Sequence, residues 1–202
     1  MNSFALVFRK IRNVAVLIFF SYFLTSCATL NKTEKPSKFS IRLYPAKKIP
    51  FLSPSFLQED FLSKTWNGQI VAKSGTYQYR ISLQADRKSI FMQAFSPDNK
   101  ETARISFSAE TLKPSGWSHL PGLKQKDSIA LFQWLFYSPE KVAELFESKK
   151  LRFTIETASN GKTEIRRVFN KRKCILELTK KNDRIIYKNY EKNIFLTLTE
   201  SN

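Results

Sequence analysis

From Trp66 onward the chain alternates apolar and polar residues with a period of two. Tyr77, Tyr79, Ile81 and Leu83 are interleaved with Gln78, Arg80, Ser82 and Gln84, and Ala103, Ile105 and Phe107 with Thr102, Arg104, Ser106 and Ser108. Successive side chains of a strand point to opposite faces, so this pattern predicts strands with one apolar and one wet face. Turn chemistry separates them: Ser74-Gly75 after a strand over 66–73, Ser96-Pro97-Asp98-Asn99 after one over 89–95, and Asn160-Gly161 as a hairpin signal. A strand is expected over 111–117, another around Leu151, Phe153 and Ile155, and more over 165–169, 173–179, 184–190 and 193–199. The expectation is a mainly β (α+β) domain built on an antiparallel meander of about nine to eleven strands.

The period changes once. Asp127-Ser128 predicts a cap for a helix over 129–137, whose Ile129, Leu131, Phe132, Trp134, Leu135 and Phe136 run nearly all the way round it. Pro139 suits the first turn of a second helix over 140–149, with Val142, Leu145 and Phe146 on one face. A sheet with one apolar face must cover it. Curling around an apolar helix does so, giving a curved half-barrel with a short helical lid. The space beneath that lid is either solid core or a ligand cavity. A helix on a single sheet needs only one apolar stripe, so the surplus points to a cavity. Its candidate ligand-binding residues are Tyr77, Tyr79, Ile81, Ile105, Phe107, Phe132, Trp134 and Phe136, with ordinary core as the competing role for each. Residues 41–61 hold Pro45, Pro50 and Pro54 and read less clearly, with a short strand or helix around 55–62.

The N-terminus speaks to location. Arg9, Lys10 and Arg12 precede an apolar stretch from Val14 to Leu24, too short for a span of roughly 20 residues but suited to a signal peptide. It ends in Leu24-Thr25-Ser26-Cys27, which resembles the lipobox of bacterial lipoproteins. The expected organisation is a signal peptide over 1–26, a lipidated Cys27 with a flexible tether to residue 40, and one domain over 41–202. By resemblance to enteric sorting rules, Ala28 and Thr29 permit transfer to the outer membrane, facing the periplasm.

Charge and composition narrow the function further. The chain carries +17, of which Arg9, Lys10 and Arg12 supply three, leaving about +14 on the mature protein. A basic chain ordinarily suggests nucleic acid, but export removes that partner and leaves anionic envelope surfaces. Arg166, Arg167, Lys171, Arg172, Lys173, Lys180, Lys181, Arg184 and Lys188 crowd the last third, either as a surface for such a partner or as a solvated face. After Cys27 only Cys174 remains, so no internal disulfide forms in the mature chain. Cys174 alternates with Leu176 and Leu178 and reads as a buried strand thiol. The single histidine, His119, falls in a loop sequence; with one His and one Cys there is no metal cluster. No nucleophile triad or phosphate-cradling glycine loop is legible, and no cofactor or enzymatic activity is expected.

The lipobox, tether and strand meander, with the segment Ile129-Ala130-Leu131-Phe132-Gln133-Trp134-Leu135-Phe136-Tyr137-Ser138-Pro139 followed by Val142 and Leu145, resemble an uncharacterised lipoprotein family. Its members often lie near aryl-polyene pigment genes and are related in fold to the outer-membrane lipoprotein receptor LolB. The resemblance implies an open curved sheet around a greasy cavity for acyl chains. The receptor inserts lipoproteins through an exposed apolar residue on a strand-connecting loop. Here the corresponding loop, Ser96 to Glu101, is polar throughout. That departure favours handling of another lipid or amphiphile. The alternative is a non-catalytic structural or assembly subunit of an envelope complex, with no cavity.

Overall fold

The computed structural model describes residues 40–44, 47–159 and 161–201. The signal segment, Cys27, the tether as far as residue 39, and Asn160 lie outside the described residues. The strands are β1 (Ser40–Tyr44), β2 (Lys47–Pro50), β3 (Phe61–Ala72), β4 (Gly75–Asp86), β5 (Ser89–Phe95), β6 (Glu101–Ser108), β7 (Ser115–Ser118), β8 (Arg152–Thr157), β9 (Thr163–Asn170), β10 (Lys173–Lys181), β11 (Arg184–Asn189) and β12 (Ile194–Glu200). Two helices, α1 (Gln125–Phe136) and α2 (Pro139–Glu147), separate β7 from β8. The fold is mainly β, and ten of the strands form one antiparallel sheet that does not close into a barrel. Its order is β7-β6-β5-β4-β3-β12-β11-β10-β9-β8. β1 and β2 form a separate hairpin.

The alternation read in the sequence becomes one continuous apolar face. Trp66 stands opposite Ile81, Ile81 opposite Ala94, and Ala94 opposite Ala103. On the other side of β3, Ile70 stands opposite Leu196, and Leu196 opposite Tyr187. All of these are buried. Asparagine, which tolerates a left-handed backbone, serves two of the turns. Asn182 and Asn193 adopt φ of 50° and 53° in the β10–β11 and β11–β12 turns. On the edge strand β7, Gly116 adopts φ 92°, and a Cβ there would lie 2.0 Å from the Arg104 carbonyl oxygen, so β7 pairs with β6 only as glycine.

α1 starts earlier than the sequence suggests. Lys124 takes the cap position and Asp127 sits in the first turn, where its carboxylate accepts the Lys124 backbone N–H at 3.1 Å. Ser128 is inside the helix. The segment around β1 and β2, which three prolines obscured, packs beside α1: Ile41, Leu43, Ile49 and Phe51 are buried, and Phe51 meets Phe107 edge-on at 5.6 Å. A single 3-10 turn, Pro54–Phe56, leads from it toward β3. Gln133 joins α1 to this segment. Its side-chain oxygen accepts the Leu52 N–H at 3.1 Å and its amide donates to the Leu52 carbonyl at 2.8 Å. α2 covers another side, with Phe146 packed 5.5 Å from Trp134 and 5.6 Å from Phe153. The surplus apolar surface of α1 is thus met by the hairpin and by α2. Among the described residues no helix is long and apolar enough to cross a membrane.

Candidate ligand cleft at the turn end of the sheet

The eight residues expected to line a cavity fall into separate groups. Ile81, Phe132 and Phe136 do meet, together with Trp66, Leu83 and Leu198, around a void between α1 and the sheet. That void holds only about 40 Å³. A cavity that takes up benzene needs about 150 Å³, and ligand pockets usually offer about 300–1,000 Å³. The space under α1 is therefore packed core. Ile105 is buried within the sheet core, Phe107 is buried against Phe51, and Trp134 faces α2. Tyr77 and Tyr79 are half-buried. The Tyr77 hydroxyl donates to the Ser74 carbonyl at 3.0 Å, and burial, followed by the neighbouring Tyr77, raises the pKa of Tyr79.

The roomy site is elsewhere. An open cleft of about 1150 Å³ lies at the end of the sheet where β3 turns into β4 and β11 into β12. β1, the loop from β7 to α1, and the first turn of α1 complete it. Ile41, Ala72, Trp117 and Ile194 give it apolar wall; Arg42, Lys73, Lys124 and Lys126 give it positive charge. None of these four cations has a carboxylate partner among the described residues. The acids in the cleft are already engaged: Asp127 pairs with Lys192, and Glu191 with Lys173 at 2.7 Å. Gly122, at φ 71°, lets the loop pass close to Ile194; a Cβ there would stand 2.7 Å from the Ile194 Cδ1. The sequence carried a faint signal for this site, since Lys124, Lys126 and Asp127 cluster at a helix start, but nothing in it links them to Arg42 or Lys73.

No protein-family model matches the chain, and no curated protein matches it. The site therefore rests on its own geometry.

Two further expectations change. Cys174 is half-buried, because the β9–β10 register shifts between Cys174 and Leu176 and Ile175 takes the buried position. Burial raises the pKa of its thiol, which donates to the Leu176 carbonyl at 3.4 Å. The basic last third is not one patch. Arg166 is buried, bonded to Glu164 at 2.7 Å and to the Trp134 carbonyl at 2.5 Å. Arg167 lies between Glu156 and Glu177, whose hydrogen bonds raise its pKa further. Lys171 and Arg172 fall at the cleft end, Lys181 and Arg184 at the opposite end. His119 is exposed, its ring 5.2 Å from that of Trp117. Among the described residues no three His, Cys, Asp or Glu side chains gather in a way that could hold a metal.

Proposed function

We propose that the protein is a periplasm-facing lipoprotein of the outer membrane, anchored through Cys27, which holds or hands on a lipid or other amphiphile. In this reading the ligand occupies the open cleft and not the space under α1. The observation that carries it is the meeting of an apolar wall with unpaired cations in a volume large enough for a headgroup and the first part of its chains. Each apolar surface withdrawn from water contributes roughly 25 cal/mol per Å², and Lys73, Lys124 and Lys126 supply the counter-charge for an anionic head. The lipobox at Cys27 and the resemblance to the lipoprotein-receptor fold support the same reading.

The packed interior favours the second reading, a structural or assembly subunit without a ligand. Native mass spectrometry of the full mature protein, gently extracted from membranes, separates the two. The expected result is a retained amphiphile on the wild type that is lost in the Lys124→Glu, Lys126→Glu double variant. A wild-type protein that is folded and carries no adduct supports the structural subunit instead.

A further inference from the structure

The cleft is one part of a larger surface. By the antiparallel registers, the β3–β4, β5–β6, β9–β10 and β11–β12 turns all lie at the same end of the sheet, with the start of α1 and β1. At that end Arg42, Lys73, Lys124, Lys126, Lys171 and Arg172 are exposed and have no carboxylate partner among the described residues. The carboxylates beside them are neutralised: Asp98 pairs with Lys100 at 3.3 Å, Asp127 with Lys192 and Glu191 with Lys173. At the opposite end, Glu59, Asp60, Asp86, Glu110 and Asp183 are mixed among the cations of the turns. Charge is thus segregated along the strand direction, not along the chain.

Two of the three large exposed aromatics among the described residues fall in the same place, with Val71 at the same end, while the third, Phe61, stands at the opposite end next to Asp60. Trp117 is 37% exposed and Tyr190 40% exposed, and both stand at the cationic end. An amphipathic ring beside unpaired lysines suits the interface of an anionic bilayer, where the ring sits at headgroup level and each cation near the surface contributes about 1 kcal/mol. The chain's own anchor leads to the same end. Ser40 opens β1, whose Ile41 and Arg42 line the cleft, and Cys27 lies thirteen residues before it. That stretch spans at most about 40 Å, so the shortest approach of a lipid-anchored domain to its bilayer brings this end down first.

We infer that the cationic turn end, with Trp117 and Tyr190 at its rim, is the face that docks on an anionic lipid bilayer. The inference rests on the proposed lipid anchor only for the route of the tether, and it does not require a ligand in the cleft. It sets the cleft mouth against the membrane surface, with the opposite end, where acids and cations are mixed, directed away from it.

The molecule supplies its own reporter. Trp66 and Trp134 are 4% and 1% exposed, so of the three tryptophans only Trp117 can be quenched from outside. The full mature protein is mixed with vesicles carrying brominated phosphatidylcholine, either alone or with about a third phosphatidylglycerol, and tryptophan emission is read. Intact mass is taken on the same sample. Quenching is expected on the anionic vesicles, weak on the neutral ones, and lost at about 0.5 M salt, where charge is screened within a few ångströms. Trp117→Phe should remove the quenchable emission. Lys73→Glu with Lys124→Glu and Lys126→Glu should abolish quenching, whereas Lys181→Glu with Arg184→Glu at the far end should leave it, both variants keeping the β-rich circular dichroism spectrum. Equal quenching on neutral and anionic vesicles overturns the inference, as does loss of quenching in the far-end variant or its absence on anionic vesicles. A mass without acyl chains instead refutes the anchor, while the quenching still decides the docking face.

Discussion

Glu177 shows how much of the basic character of the C-terminal strands is spent within the sheet. It sits opposite Lys188 on β11 and Arg167 on β9, at 2.9 and 2.7 Å, on the middle strand of the three. Burial pushes its pKa up, but hydrogen bonds from Lys188 and Arg167 outweigh it, and the net shift is downward. A carboxylate whose folded pKa is depressed contributes its full stability above the unfolded pKa and loses it as pH falls through the folded one. Glu177→Gln should therefore lower stability by about 1 kcal/mol at neutral pH, since the group is partly exposed and screened. The difference from wild type should close in acid, below the ordinary glutamate range, once the folded-state carboxylate is itself protonated. Urea unfolding at neutral pH and in acid checks it; a gap that persists in acid would mean that lost packing, not charge, is responsible. The sequence showed that these residues are basic and alternate, but cross-strand pairing depends on register. The bulge at Cys174 that sets this register has no signature in residue type.

At the scale of elements, α1 is the part whose surroundings the sequence concealed. Its all-round apolarity is accounted for by three neighbours: the sheet, α2 and the β1–β2 hairpin. The third was hidden because Pro45, Pro50 and Pro54 break the alternation that betrays a strand. Asp127 was misplaced for a different reason. An acid is favoured both at the cap and in the first turn of a helix, so residue type cannot tell the two apart. The strands themselves were legible, because period two and turn residues are local properties. The same packing argument sets a prediction. Trp134 is fully buried against Phe146, so Trp134→Ala should cost about 3–5 kcal/mol and lower the thermal midpoint markedly. Differential scanning calorimetry measures it. A near-wild-type midpoint would show that α1 is loosely held and lifts readily from the sheet.

For the whole molecule, Cys27→Ala should abolish incorporation of a clickable fatty acid in growing cells. Cys174 offers no substitute, since it is half-buried and its thiol is harder to ionise than usual. Undiminished label on the variant would remove the anchor. The open sheet was foreseeable as a meander, but its strand order was not. Every neighbour in it is joined by a short connection except β3 and β12, which meet at its centre from distant parts of the chain. That central seam has a consequence for how the protein is made. A chain emerging N-terminus first, from ribosome or translocon, can fold β3 to β7 hairpin by hairpin, yet β3 stays a bare edge until β12 arrives. A half-made sheet with an unpaired strand of twelve residues is a template for pairing with other chains. The interval between the two strands is then the time during which this protein most needs a chaperone.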